Sequence, residues 1–311
     1  MDIAVAPSPE TTRTARPTPG TGPILLATSG SPDCAEAARA AGDLAKRLHV
    51  GVQVVHTWMP LNTTFGPAGQ PQIDIEKTYA EPAEDVLRTQ VAALLSQGVE
   101  VVGEHLLMGP AADEIASLAI TVGARLVVTG SRGLGLIKRL VLGSVSEAVV
   151  SASTTPVLVI RRGETAWPPD KILVGFDGSE SSRNAAAAAV AIGQTLGAAV
   201  TIATVITPAQ MRATLPGDSE RAAEAMIRGV ADELGETYQI SINTVVLYGE
   251  AAPALVSLAA TSAPALLAVG SRGGGALRRL TLGSVSMAIL HDTDGAVLIS
   301  HSAKVSEEGR R

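Results

Sequence analysis

Two segments of the sequence recur at one fixed distance along the chain. Thr129–Gly133 (TGSRG) returns as Val269–Gly273 (VGSRG), and Arg139–Ser146 (RLVLGSVS) returns as Arg279–Ser286 (RLTLGSVS), both 140 positions later. Self-similarity at a fixed spacing is the signature of a repeated structural unit. At 311 residues the chain is long enough for two domains. The repeat therefore predicts two copies of one fold.

The beginnings of the two halves also match, but at a larger spacing. Gly30-Ser31 pairs with Gly178-Ser179, 148 positions later, so the first half contains eight extra residues. The simplest place for them is 60–72, which is rich in Pro, Gly and Asn. A link that contains Gly163, Pro168 and Pro169 is a plausible hinge. The predicted divisions are a tail at 1–22, domains at 23–162 and 170–302, a linker at 163–169 and a tail at 303–311.

Each half alternates short apolar runs with segments that have helical spacing. The predicted strands are 24–28, 52–55, 99–107, 125–129 and 156–160, then 171–176, 199–206, 240–247, 265–269 and 296–300. The predicted helices are 33–48, 77–97, 111–122 and 144–152, then 180–196, 219–235, 250–262 and 284–291. Ser144 and Glu147 predict a capping box at the start of one of them. This alternation indicates an α/β fold with a parallel sheet covered on both faces, in which ligands bind beyond the carboxyl ends of the strands.

Composition excludes several classes of function. The formal charge is −6 and only 2% of residues are aromatic, which disfavours binding to nucleic-acid phosphates and stacking on bases. Cys34 is the single cysteine, so neither an intramolecular disulfide nor a cysteine zinc site is available. The sequence contains no apolar run of 18 residues, and 1–23 lacks the apolar core of a secretory signal. We therefore expect a cytoplasmic protein that binds neither nucleic acid nor membrane.

The strongest local pattern is a glycine loop present in both halves. Gly130-x2-Gly133-x9-Gly143-Ser144 begins where a strand ends and finishes where a helix begins, and it recurs from Gly270 to Ser284. Glycine lets a ligand approach the backbone closely, and a helix N-terminus favours a phosphate. The alternative is that these glycines only form a tight turn and cap a helix. Arg132, Arg272 and the spacer pairs 138–139 and 278–279 either offset phosphate charge or form a solvated loop face.

Both halves resemble universal stress protein domains, on the G-2x-G-9x-G-(S/T) pattern, the Asp-Gly-Ser after the second half's first strand and the repeated G-S-V-S. The resemblance covers about 23–162 and 170–301 and is closest to the tandem form found in actinobacteria. It implies two doubly wound domains, each a five-stranded parallel sheet of order 3-2-1-4-5 flanked by helices. It also implies dimerisation through the last strand, so that we expect an intramolecular pseudo-dimer and a homodimer. ATP is the implied ligand, bound between the first and fourth strand ends, and Mg²⁺ is expected only together with bound ATP.

The resemblance assigns the nucleotide contacts to both halves, with one departure from the family pattern. An acidic residue ends the first strand in nucleotide-binding members; the second half has Asp177 there and the first half has Ser29. The last helix and strand of the second half also differ, with Met287 in place of Glu147 and Ala296 in place of the usual proline. The candidate contacts are Thr28, Ser29, Thr57, Gly130, Arg132, Gly133, Gly143, Ser144, Val145 and Ser146, then Phe176, Asp177, Val205, Gly270, Arg272, Gly273, Gly283, Ser284, Val285 and Ser286.

Three functions agree with these residues. The first is an ATP-binding regulatory or stress-response protein that acts on an unknown protein partner; the second is a slow ATPase or nucleotidyl-transfer enzyme; the third is an interaction module without nucleotide. The chain has no P-loop lysine motif and no nucleophile elbow, and its histidines lack metal-ligand spacing. No catalytic residue is assigned. The missing base favours binding over turnover.

Overall fold

A computed structural model of the chain describes residues 22–60, 76–131, 143–161, 167–213, 215, 217–261, 265–272 and 282–302. The predicted insertion at 60–72 and the spacer residues between the loop glycines lie almost entirely outside these ranges. The strands are β1 (Ile24–Ala27), β2 (Val52–Trp58), β3 (Val101–Met108), β4 (Leu126–Gly130), β5 (Val157–Ile160), β6 (Lys171–Gly175), β7 (Ala199–Ile206), β8 (Ile242–Tyr248), β9 (Ala265–Gly270) and β10 (Ala296–Ser300).

The helices lie between the strands, as the alternation predicts. They are α1 (Pro32–Leu48), α2 (Glu81–Ser96), α3 (Ala111–Thr121), α4 (Ser144–Ala152), α5 (Glu180–Leu196), α6 (Pro208–Ala213), α7 (Asp218–Tyr238), α8 (Ala251–Ala260) and α9 (Ser284–Asp292). A π-helical turn, Glu76–Ala80, precedes α2. The sequence pattern did not predict α6, and α7 extends beyond the predicted end at residue 235.

All ten strands form one sheet with the order β3-β2-β1-β4-β5-β10-β9-β6-β7-β8. Each half is parallel within itself and has the order that the resemblance implies. The halves meet where β5 and β10 pair antiparallel, with Leu158 opposite Leu298. The predicted pairing of the two last strands is therefore confirmed. Because each last strand is paired within the chain, a homodimer would have to use another surface.

The core has two layers, one on each face of the sheet. Alternate strand residues supply each layer, since successive side chains of a strand point to opposite faces. One layer packs under α1, α2, α5 and α7, and the other under α3, α4, α8 and α9. The alanine run 185–189 lets α5 lie close to the sheet, and three of its alanines are fully buried. Within the described ranges, no helix has the length and apolar character needed to cross a bilayer.

The capping box predicted for α4 is wrong. Gly143 is the N-cap residue, its φ and ψ are −65° and 137°, and no side chain caps the helix. Ser144 is instead the first helical residue. The N-cap of α9 is likewise Gly283 without a side-chain cap. In both helices, the first backbone N–H groups consequently have no hydrogen-bond acceptor within the helix and none from a capping side chain.

At the junction of the halves, each last strand is followed by a residue that reaches into the other half. The Arg161 guanidinium, after β5, donates from Nη2 to the carbonyls of Leu290 and His291 at the end of α9, at 3.0 Å for His291. The His301 side chain, after β10, is buried against the backbone of Val150 near the end of α4. Arg161 and His301 occupy equivalent positions of the repeat. Arg161 thereby satisfies carbonyl oxygens that lack partners at the C-terminus of α9.

This placement predicts that acid destabilises the protein through His301. Burial, together with the charge of Arg272, lowers the pKa of His301 to about 4. The unfolded chain, with a pKa near 6.5, then binds more protons between pH 6.5 and about 4, so the free energy of unfolding falls as pH falls through this window. Between pH 7 and pH 5 the loss should be about 2 kcal/mol.

Urea denaturation of the wild type and of His301→Gln at these two pH values measures the effect. Glutamine still offers a donor to Val150 but does not titrate. The other histidines are present in both proteins, including His105, whose pKa burial also lowers. An equal loss of stability in the two proteins would show that His301 does not carry the pH dependence.

Candidate functional site

A cleft opens at the carboxyl ends of β6 and β9, which are neighbouring strands of the second half. From β6 the chain continues into α5 on one face of the sheet, and from β9 it continues toward α9 on the other face. This is the point of an α/β sheet at which ligands bind. The cleft brings together seven of the predicted contacts: Phe176, Asp177, Val205, Gly270, Arg272, Val285 and Ser286. Its volume of about 130 Å³ is below the 300–1,000 Å³ of whole ligand pockets, so the described residues form one part of the site.

The glycine loop of each half is closed at its base by a backbone hydrogen bond. The amide of Gly283 donates to the Ser271 carbonyl at 2.8 Å, and the amide of Gly143 donates to the Ser131 carbonyl at 2.7 Å. The start of the helix is thereby held against the end of the strand. The N–H groups of the first helical turn, at residues 284–286 and 144–146, follow directly. Three such groups and the positive end of the helix dipole form an anion site.

The two buried serines of the motif have a role that the sequence did not predict. Ser286 Oγ donates to the Gly270 carbonyl at 2.6 Å, and Ser146 Oγ donates to the Gly130 carbonyl at 2.7 Å. Their hydroxyl hydrogens are thus used within the protein rather than directed to a phosphate. Ser284 and Ser144, two residues earlier, are exposed. These two hydroxyls remain available to a ligand.

Gly270 allows β9 and α5 to approach each other closely. A Cβ atom built there would lie 2.5 Å from Ser181 Oγ and 2.6 Å from the backbone nitrogen of Ser182. The hydroxyl of Ser181 donates to the Arg272 carbonyl. Only glycine fits at this position, and the first turn of α5 therefore orients the beginning of the loop.

Gly283 does not have the geometry that the sequence suggested. Glycine there was expected to leave room for a phosphate, but a Cβ built on it would face the Ser271 carbonyl at 3.2 Å and the Arg272 Cα at 3.4 Å. Its backbone, with φ −67° and ψ 153°, is open to any residue. The absence of a side chain at Gly283 therefore serves the close packing of the loop on itself.

Asp177 has a structural role in addition to its predicted one. Its Oδ1 accepts hydrogen bonds from the Ser179 amide at 3.0 Å and the Ser179 hydroxyl at 2.6 Å, while Ser179 accepts from the amide of Ser182 and caps α5. The side chain is exposed. Beside it, Phe176 is buried and lies 5.6 Å from the Arg183 guanidinium. This end of the cleft therefore combines the solvent-facing carboxylate of Asp177 with the apolar ring of Phe176.

In the first half, the equivalent positions are arranged differently. The Ser29 amide donates to Cys34 Sγ at 3.2 Å and its hydroxyl lies 3.3 Å from the same sulfur, so that Ser29 faces the start of α1. Thr28 Oγ1 donates to Gln90 Oε1 at 3.1 Å. Cys34 is buried. A partly buried polar cluster thus replaces the aromatic ring and the carboxylate of the second half.

The remaining predicted contacts lie on the second strands, in the first turns of α4 and α9, or outside the described residues. Thr57 is half-buried near the end of β2, and Val205 lines the cleft from β7. Val145 and Val285 project from the first helical turns, 46% and 38% exposed, which is unusual for valine and agrees with contact to a ligand. Arg132, Gly133 and Gly273 fall outside the described residues.

Sequence reasoning missed several residues of the cleft. Thr204, Ala251 and Leu255 line it, yet they stand in ordinary strand and helix patterns that carry no signal. His56 Nδ1 lies 2.7 Å from the Thr28 carbonyl, next to the first half's site. The Ser179-Glu180-Ser181-Ser182 run was a detectable signal, since serine at a helix start predicts hydrogen bonding to backbone groups.

Few ionisable side chains line the cleft. Asp177 and Arg272 are the only ionisable side chains among the described residues that line it. In the same part of the chain, no cluster of three His, Cys, Asp or Glu side chains could hold a metal ion. The lining combines apolar walls with one carboxylate, one guanidinium and the first turn of α9.

Known proteins resemble this chain in sequence and in fold. The model of the universal stress protein family matches residues 20–161 and 169–301. A universal stress protein of Mycobacterium tuberculosis is 29% identical over 296 residues, which are 90% of this chain and 97% of that protein. One from Thermus aquaticus is 33% identical over 138 residues, 44% of this chain and 97% of its own length; its whole length thus corresponds to about half of this chain.

The fold agrees with these matches. The crystal structure of a universal stress protein from Archaeoglobus fulgidus superposes with a TM-score of 0.67 at 22% identity, covering 91% of this chain and 99% of that one. This likeness extends across both halves. Because the family model accounts for each half separately and the mycobacterial relative spans nearly the whole chain, the protein belongs to the universal stress protein family as a tandem member.

Proposed function

We propose that the protein binds ATP in both halves and acts as a nucleotide-dependent regulatory protein of the stress response, in the cytoplasm. The observation that carries the proposal is the cleft of the second half. There the uncapped first turn of α9 faces the same opening as Phe176 and Asp177. One end thus suits phosphate and the other suits a nucleoside.

The nucleoside end is defined by apolar contacts and one acceptor. Phe176 and Val205 supply an apolar surface for a base. Asp177 has one oxygen occupied by Ser179, which leaves its second oxygen to accept a hydrogen bond from a ribose hydroxyl or an adenine amino group. A charged acceptor makes the stronger bond.

Regulation fits the cleft better than turnover does. A hydrolase needs a group that activates water, and the two ionisable side chains of the cleft are an arginine and a carboxylate already bound to Ser179. Bound ATP instead changes the surface presented to a partner, to the extent that its affinity differs between two conformations.

The decisive test is the nucleotide content of the purified full-length chain. After gel filtration and denaturation, mass spectrometry of the released ligand should identify an adenine nucleotide, and titration of stripped protein with ATP should show binding. A matched control is the double variant Ser144→Glu, Ser284→Glu. Glutamate is favourable at the first helical position but repels phosphate, so folding should persist while binding is lost. The proposal is contradicted if no nucleotide copurifies and the stripped protein does not bind ATP at millimolar concentration.

The difference between the two sites gives a prediction about affinity. The second site should bind ATP several-fold more tightly than the first, because a hydrogen bond to a charged acceptor exceeds one to a neutral acceptor by about 1 kcal/mol. Asp177→Asn should remove this advantage while its oxygen still accepts from Ser179. Calorimetric titrations in the Ser144→Glu background isolate the second site, and those in the Ser284→Glu background isolate the first. Equal affinities in the two backgrounds would show that the carboxylate has no part in binding.

A further inference from the structure

The junction of the halves places a cation of one half on a binding helix of the other. Helix α9 begins at the loop of the second half, and its last carbonyls, those of Leu290 and His291, accept from Arg161 of the first half. Helix α4 begins at the first half's loop, and its end meets His301 of the second half. Each binding helix is therefore held at its N-terminus by its own half and at its C-terminus by the other half.

The two contacts are equivalent in position but differ in charge. Arg161 is always protonated. His301 is neutral near pH 7, since burial and the charge of Arg272 lower its pKa to about 4. Glu147 and His291 also meet across the junction, 3.6 Å apart. Near neutral pH, α9 thus has a full positive charge at its C-terminus where α4 has a neutral ring.

The Arg161 guanidinium fixes the C-terminal end of α9 through two backbone carbonyls. It stabilises the helix dipole and satisfies the last carbonyls, and α9 is only nine residues, roughly 13 Å, long. A phosphate at the first turn of α9 depends on three backbone N–H groups, so its binding depends on where that helix stands relative to the loop. The guanidinium supports the helix at its C-terminal end, where the Thr293 amide of the second half also donates to the Ile289 carbonyl.

We infer that Arg161, although it belongs to the first half, is a positioning residue of the second half's nucleotide site. The inference rests on the proposed function, because the ligand that Arg161 affects is the nucleotide. His301 has the equivalent place for the first site and supports it less. This asymmetry acts in the same direction as that of Asp177 but has a different origin.

The test measures ATP affinity of one site at a time in the full chain. In the Ser144→Glu background, Arg161→Gln should weaken ATP binding at the second site by about three- to tenfold. In the Ser284→Glu background, the same change should leave the first site within about twofold, although Arg161 is in the first half. A structural defect at the junction would instead affect the first half at least as much. Circular dichroism and thermal unfolding establish that each variant is folded, and Arg161→Lys, which retains the charge, should recover part of the affinity.

The reciprocal variant is His301→Arg, which should tighten ATP binding at the first site by about threefold and leave the second unchanged. Unchanged affinity at the second site of Arg161→Gln, or an equal loss at both sites, would overturn the inference while the proposed function stands. Absence of ATP binding to the unsubstituted chain would overturn both.

Discussion

Valine in place of Gly270 is expected to lower the free energy of unfolding by at least about 3 kcal/mol, the upper part of the range for overpacked sites. The added Cβ would lie 2.6 Å from the backbone nitrogen of Ser182, and a backbone atom of a helix cannot move aside alone. The start of α5 would have to separate from β9, and the hydrogen bond from Ser181 to the Arg272 carbonyl would break. ATP binding at the second site should be lost together with stability.

Chemical denaturation measures this effect against a matched control. Gly229 lies on α7 with open space around it, so Gly229→Val should change stability by no more than about 0.5 kcal/mol. If Gly270→Val were as stable as the control, the close contact of β9 and α5 would not be essential. If a destabilised Gly270→Val protein retained its ATP affinity, Gly270 would be needed for packing but not for nucleotide binding.

Alanine in place of Leu298 should cost about 2–5 kcal/mol, the range for emptying a fully buried leucine site. Leu298 is fully buried on β10 and pairs with the fully buried Leu158 of the other half. Because both side chains belong to one core layer that extends through the two halves, we expect a single unfolding transition, shifted as a whole to lower denaturant.

The same substitution on the surface provides the control. Leu95, on α2, is 55% exposed, and Leu95→Ala should change stability by less than about 1 kcal/mol. A two-step curve for Leu298→Ala, with one step unchanged, would show that the halves unfold independently and that the shared layer does not couple them.

The repeat predicted the fold well because it constrains long-range pairing. The equal spacing of the two motifs made β4 the equivalent of β9 and α4 the equivalent of α9, and the family resemblance implied the β5–β10 pairing that the structure contains. Periodicity also located most helices and strands to within a few residues. The limits proposed for the two domains remain predictions, since a continuous sheet gives no independent boundary.

The site was less predictable, because its details depend on contacts distant in sequence. Nothing near Gly270 reveals that Ser181 and Ser182 lie against it, and nothing near His301 reveals Val150 or Arg272. The capping box failed for a related reason: Gly143 is held by the Ser131 carbonyl, and this contact makes it the N-cap instead of Ser144. A local pattern cannot include such a partner.

Because the antiparallel pairing of β5 and β10 joins two halves of one chain, the two sites can contain different residues. Two identical chains that associate through this contact would separate on dilution, and each would bring the same site. A covalent link replaces that association by an intramolecular one, whose effective concentration does not depend on how much protein is present. It also removes the symmetry requirement, so that Ser29 and Asp177, or Arg161 and His301, can stand at matching places in one molecule. Under the proposed function, one molecule therefore contains two sites that are occupied at different concentrations of the same small molecule.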